Sequence, residues 1–427
     1  MPTMMRAQEP RAALFAMAPA VRAAAVRALA VRALAVRALA CSVAAGVLAS
    51  LVLSVSAPAL AQEELKIGGI GPLSGGGTAW GLAVQRGVEM AIDEVNKAGG
   101  LKVGDRSYRP SLIMYDDQYT AAGGRTAVDR LVNLEGVKYI IGPIGSPSAL
   151  AVVPVTNQAK VIVLSDGYAP EILRNDSHSA YNFRAMNSNV EFGPAMVKWL
   201  RERHPELHKV AIIVPNDAVG QAILPSLGAT YRANGFEVWS ETYERGIKEF
   251  MPILTRMLAQ NVDLLDLNSN APGEAGLLLK QARQVGYRKM IWQVGGPSVD
   301  EIVSVAGPLA NGFLSYDVFD FNDPGAKAFI EAYRARWSGI INAQTPGWYN
   351  ATKILFKAVQ EAGSLDTDKV RDALVKIEGY DAGIYGPVAW GGMSDYGVAH
   401  QLLNKFWITE VRDGAPHALA VLTPEKK

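Results

Sequence analysis

Apolar positions along this chain switch between two spacings, and the switching sets out an architecture before any single residue is considered. Short apolar runs at residues 65–70 (LKIGGI), 111–115, 139–141 and 161–164 have the length and β-branched content of strands. Between them the spacing lengthens to that of a helix. Residues 81–98 place Val84, Val88, Ala91, Ile92 and Val95 on one face and stop at Gly99-Gly100. Residues 125–134 repeat the arrangement with Val128, Leu131 and Val132. The alternation then begins again: strands at 210–214 (VAIIV), 236–239, 262–267 and 290–294, with helices at 220–234 and 274–285. A segment at 312–319 leads to three helical stretches, 324–337, 346–362 and 367–377. The chain closes with GPVAW (386–390) and one strand-like run, LLNKFWITEV (402–411). Strands alternating with helices predict βαβ units and parallel sheets covered on both faces. Two such series predict an α/β protein of two similar lobes, each a mostly parallel sheet flanked by helices.

The first 61 residues follow a different rule. Residues 21–40 repeat a five-residue unit (VRAAA, then VRALA three times), and the uncharged stretch CSVAAGVLASLVLSVSAPALAQ follows. Positive charge, an apolar run and the small residues Ala59-Leu60-Ala61 form the layout of a secretory signal cleaved near Ala61–Gln62. Residues 41–60 are just long enough to span a membrane, but Pro58 and the A-x-A ending speak for cleavage. The full chain of 427 residues has 42 Lys and Arg against 41 Asp and Glu; cleavage removes six arginines and one acid and leaves 36 against 40, a net charge of −4. No basic stripe points to nucleic acid. Cys41, the single cysteine, lies in the removed segment. The expectation is a periplasmic protein without disulfides, held together by its hydrophobic core.

In sheets of this class ligands sit beyond the carboxyl ends of the strands. The first lobe carries GPLSGGGTAWG (71–81), GPIGSPSAL (142–150) and SDGYAPEI (165–172) there, and the second carries PNDAVG (215–220), NSNAPG (268–273) and QVGG (293–296). All are rich in small and polar residues that let backbone N–H groups face a ligand, so two polar rims oppose each other.

KIGGIGPLSG…WG, AIDEVNKAGG, YDDQ (115–118), VKYIIGPIGSPS, YNFRAMN (181–187), VAIIVPNDAVG, LLLKQARQVG and YGPVAW occur here in that order. In this order and spacing they resemble the periplasmic substrate-binding proteins of branched-chain amino-acid ABC transporters, the leucine/isoleucine/valine-binding type. The resemblance covers nearly all of the exported chain. It implies the type I periplasmic binding fold: lobe 1 from residues 62–187 and 318–391, lobe 2 from 188–317 and 392–427, with three crossovers near 186–189, 316–319 and 390–393. It also implies a pocket between the lobes. Trp80 corresponds to an aromatic lying against the ligand. Ser146 corresponds to a serine that takes the ligand carboxylate, with Pro147 and Ser148 in the same loop. Ser165, Gly167, Tyr168 and Ala169 match the segment holding carboxylate and ammonium, with Ala169 where a threonine is usual. In the second lobe Val219 stands where an aromatic is common and Asn270 where a tyrosine is common. The acid that pairs with the amino group corresponds to Gly295. A buried ammonium without a countercharge costs several kcal/mol. Either Asp166 or Asp217 therefore supplies the charge, or the ligand is an aromatic or aliphatic carboxylate or a small amide.

Other chemistries fit less well. Gly69-x-Gly71-x-x-Ser74 lacks the third glycine of a dinucleotide fingerprint, and no Gly-Lys-Ser/Thr ends a phosphate loop. His204-Pro205-Glu206-Leu207-His208 has the wrong order for a zinc helix, and Pro205 interrupts it. No serine after residue 61 has the G-x-S-x-G setting of a hydrolase, and His178, His400 and His417 have no neighbouring acid in sequence that suggests a triad. Asp116-Asp117 reads as a turn cap, and Trp199, Trp337 and Trp348 read as packing residues. The expectation is therefore a monomeric solute receptor that is not an enzyme. It needs no metal or organic cofactor, closes on a small molecule and is recognised by a membrane permease. The same architecture also serves as the sensing module of receptors, and the absence of a membrane or signalling stretch near Pro424 favours the free binding protein.

Overall fold

Two sheets account for the two series of strands. The structure is a computed structural model describing residues 62–174, 179–318, 320 and 322–424; the signal segment, His178 and Phe319 lie outside these. The first sheet takes β1 (Glu63–Gly71), β2 (Leu101–Val103), β3 (Arg106–Asp116), β4 (Tyr139–Ile144), β5 (Ile162–Asp166) and β6 (Asn182–Arg184). The second takes β7 (Lys209–Pro215), β8 (Glu237–Tyr243), β9 (Leu264–Asp266), β10 (Met290–Gln293) and β11 (Leu314–Asp317). Late in the chain, β12 (Ala389–Gly391) and β13 (Gln401–Leu403) return to the first sheet, while β14 (Phe406–Arg412) and β15 (Ala415–Leu422) join the second. The orders are β12-β13-β6-β5-β4-β1-β3-β2 and β15-β14-β11-β10-β9-β7-β8. The central pairs β1/β3, β1/β4, β4/β5, β7/β8, β7/β9 and β9/β10 are parallel. Antiparallel pairs occupy edges, as in β2/β3, β12/β13 and β14/β15.

Burial explains why the central strands read as unbroken apolar runs. Every residue of β4 and β5 is buried, because helices cover both faces. The helix Thr78–Lys97 buries Val84, Val88, Ala91 and Ile92, the stripe its spacing predicts. It lies so close to the helix Thr345–Ala362 that a side chain at Gly87 would stand 2.5 Å from the Thr345 carbonyl. Caps are local and sequence-encoded. Asp217 accepts from the amides of Val219 and Gly220, and Ser188 and Glu191 form a reciprocal box at the start of the helix Asn189–Arg203.

The run at 402–411 is two strands and not one. β13 belongs to the first sheet and β14 to the second, so the third passage between sheets falls at residues 404–405 and not at 390–393. Residues 392–403 accordingly go with the first sheet. The cause is side-chain capture: Gln401 pairs beside β6, accepts from Arg184 Nη1 (2.8 Å) and donates to the Met186 carbonyl (2.7 Å). Asn187 then ties the first and third passages together: its Nδ2 donates to the Asn404 carbonyl (2.7 Å) and its Oδ1 accepts from the Asn404 amide (3.1 Å).

Candidate functional site

A small space, about 20 Å³ in volume, lies between the carboxyl ends of the two sets of strands. Every lining element follows from a strand end or a helix start. After β1 comes Trp80, after β3 Tyr119, and at the ends of β4 and β5 come Ile144 and Asp166. The second sheet contributes Val219 after β7, Ser269 after β9 and Gly296 after β10. Gln344, at the cap of the helix Thr345–Ala362, completes the floor.

Aromatic rings form most of the wall. Trp80 is only 2% exposed, and its ring centroid lies 5.8 Å from that of Tyr119. Tyr119 in turn fills the place of a side chain at Gly145: a Cβ there would lie 2.4 Å from its ring, and Gly145 has φ of 101°. Contacts across the cleft join the two sides. The Gly296 amide donates to Tyr168 Oη at 3.3 Å, and a Cβ at Gly296 would be 3.4 Å from the Trp80 ring. The Arg245 guanidinium stands 4.5 Å from the Tyr119 ring centre while pairing with Asp217 (2.6 Å) and Glu274 (3.2 Å). Asn342 Nδ2 donates to Glu301 Oε1 at 2.8 Å. The cleft is shut.

Asp166 is the carboxyl group facing this space. It is 4% exposed; Oδ2 accepts a long hydrogen bond from Gln344 Nε2 (3.4 Å), and Oδ1 has no partner. Burial pushes its carboxyl up from 3.8 to about 7, against the pull of Arg184 and with a push from Glu191. Arg184 sits behind the loop and shapes it. Its Nε donates to the Gly167 carbonyl (2.6 Å), Nη2 to Ala169 (2.9 Å), and Nη1 to Tyr396 Oη (3.0 Å) and Gln401.

Of the residues singled out in the sequence, Trp80, Asp166, Tyr168 and Val219 line the space. The others stand behind it. Ser146 Oγ accepts from the amides of Tyr168 (2.9 Å) and Ala169 (3.0 Å), the loop assigned to a ligand carboxylate. Pro147 starts the helix Ser146–Ala159, and Ser148 is buried against Gly124 and Asp117. Ser165 reaches only the Phe183 carbonyl, at 3.5 Å. Asp217 caps its helix and pairs with Arg245, so its charge is already matched. Asn270 donates to the Ile213 carbonyl (2.8 Å) and accepts from Tyr243. Gly295 has φ of 107°, and a Cβ there would meet the Phe192 ring at 2.6 Å, which leaves no room for an acid. In GPLSGGGTAWG, Gly81 serves packing, since a Cβ there would lie 2.0 Å from the Pro72 carbonyl oxygen, whereas Gly75 has open space around it and a φ of 75°. Asp116 pins that loop through the Leu73 amide (2.8 Å) and Ser74 Oγ (2.6 Å).

Tyr119, Gln344, Ser269, Gly296, Arg184 and Arg245 were not singled out from sequence. Tyr119 follows YDDQ directly, and Ser269 and Gly296 lie inside the strand-end loops NSNAPG and QVGG. Gln344 is 178 residues from Asp166, and no spacing rule joins them. The rival constellations are structural. His400 stacks on Phe183 (centroids 4.1 Å apart), its Nδ1 lies 3.0 Å from the Asn182 carbonyl, and burial holds it down near 4. His204 to His208 runs through the turn before β7. Among the described residues no helix is long and apolar enough to cross a membrane.

The sequence pattern of the family described as Periplasmic binding protein matches residues 64–416. The leucine-, isoleucine-, valine-, threonine- and alanine-binding protein of Pseudomonas aeruginosa is 27% identical over 318 residues, 74% of this chain and 83% of that one. The leucine-specific-binding protein of Salmonella typhimurium is 26% identical over 362 residues, 83% and 93% of the two chains. Two solved structures share the fold. A branched-chain amino acid transporter substrate binding protein of Streptococcus pneumoniae in complex with isoleucine superposes with TM-score 0.74 at 22% identity, covering 85% of this chain and 100% of its own. A solute binding protein from R. palustris in complex with benzoate gives 0.72 at 21%, covering 84% and 97%.

Proposed function

This chain belongs to the periplasmic binding protein family, and from that premise we propose that it is the solute-binding component of an ABC transporter, closing two lobes over an amino acid or a related small carboxylate or amide. The observation that carries the proposal is the shut, aromatic-walled space at the strand ends of both sheets. Such a wall is complete only when the lobes meet, so ligand contacts that bridge Trp80 and Tyr168 to Val219, Ser269 and Gly296 favour the closed state. The named relatives bind amino acids, and one structural neighbour holds benzoate. In this reading the lobes are the two sheets with their helices, hinged where residues 185–188 and 404–405 run side by side. The exported chain, cleaved near Ala61–Gln62, works as a periplasmic monomer that presents its closed form to a permease and does no chemistry itself. Small-angle scattering on the exported chain, with and without each member of a solute panel, tests this. A smaller radius of gyration with one solute is expected; identical curves with every solute at saturation would sink it.

A further inference from the structure

The hydrogen-bonding groups left unpaired around the closed space describe the chemistry that it can recognise. Two buried acceptors have no donor: Asp166 Oδ1 and Gln344 Oε1. One buried donor has no acceptor: the indole Nε1–H of Trp80. Meanwhile, two amides that would receive a ligand carboxylate, those of Tyr168 and Ala169, are already taken by Ser146 Oγ. The nearby cations are committed as well. Arg184 spends its bonds on Gly167, Ala169, Tyr396 and Gln401, and Arg245, although its Nη2 has no acceptor, is shared between two carboxylates and stands behind the Tyr119 ring, so its cluster is net negative. An anionic head group would thus enter beside the buried Asp166, with the Trp80 indole and the Tyr168 hydroxyl, which accepts from the Gly296 amide and keeps its own proton, as donors, so that the like charge and the desolvation penalty are offset only in part. A primary amide reverses the balance: two N–H donors for the two acceptors, one carbonyl for the indole.

Building on the solute-binding role above, we propose that this site recognises a small primary carboxamide or urea, its NH₂ group facing Asp166 and Gln344 and its carbonyl accepting from Trp80, with the remainder packed on the Tyr119 and Tyr168 rings. Hydrogen bonds to a buried carboxylate are the stronger, charge-assisted kind, so Asp166 is the main source of discrimination.

Titration calorimetry with matched sets tests this: 3-methylbutanamide, 3-methylbutylamine, 3-methylbutanoate and L-leucine; benzamide, benzylamine and benzoate; acetamide and urea. Amides are expected to bind at least tenfold more tightly than the amine and the carboxylate of the same skeleton. Asp166→Asn should weaken the best amide at least tenfold, and Trp80→Phe, which keeps the ring and removes the donor, several-fold. Binding of a carboxylate, an amine or leucine with the amides silent overturns the amide assignment and leaves the solute-binding role standing. Unchanged amide affinity in Asp166→Asn overturns the assigned geometry. Silence across these sets and the twenty amino acids overturns both, and circular dichroism of each variant shows that its fold is intact.

Discussion

Asp166→Asn keeps the outline of the side chain and removes a charge that burial opposes. In the folded chain the carboxyl is raised from 3.8 to about 7. Between those two values the folded state holds a proton that the unfolded state has released. Stability supplied by the neutral form is therefore fully present below about pH 4 and is lost as pH rises to about 7, after which the loss is constant. At about 1.4 kcal/mol per pKa unit, ionising Asp166 costs the empty protein about 4 kcal/mol above pH 7. The asparagine variant is free of that cost. For a chain of this length the unfolding entropy is roughly 0.8 kcal/mol/K, so the variant is expected to melt about 5 °C higher at pH 8 and at nearly the same temperature at pH 4. Differential scanning calorimetry of both proteins without ligand, from pH 4 to 8, gives the difference directly. Taking the difference removes the other buried acids with raised values, Asp117, Asp266, Asp300 and Glu301, which act equally in both chains. A variant no more stable than the parent at pH 8, or a gap that does not widen with pH, refutes the view of Asp166 as a strained, unpaired carboxylate awaiting a ligand.

Ser146→Ala leaves two buried amides without an acceptor, and urea unfolding should show a loss of about 1–3 kcal/mol for each; unchanged stability would mean that the serine serves the ligand alone. Arg184→Met frees the Gly167 and Ala169 carbonyls and Gln401, with an expected loss of 3 kcal/mol or more and weakened ligand binding, read by the same titration. Arg245→Ala removes the cation on Tyr119 and strands Asp217 and Glu274, so the ligand-bound form should scatter as a more open particle and bind several-fold more weakly. Because the charge-assisted bond needs ionised Asp166, amide affinity measured by calorimetry should fall as pH drops below about 7 and be flat above it; this dependence should vanish in Asp166→Asn.

Much of the lobe architecture was legible in the chain because it rests on local rules. Apolar runs such as VAIIV become central strands whose residues are all buried past the first, and the stripe of Val84, Val88 and Ala91 becomes the buried face of a helix. The polar loops at strand ends were likewise readable, and eight of their residues line the space, among them Trp80, Asp166, Tyr168 and Val219, the four singled out individually. The run at 402–411 could not be read, because nothing in its apolar pattern shows that Gln401 is captured by Arg184, 217 residues earlier, while Phe406 onward pairs with another sheet. Nor could the sequence say which acid stays unmatched. Asp166 and Asp217 look equivalent in their loops; only the folded chain brings Arg245 to one and leaves the other facing Gln344. Periodicity encodes what each segment buries, since burial depends on near neighbours. Which buried polar atoms find partners depends on groups that meet only when distant strands are laid side by side, and tertiary structure alone decides that.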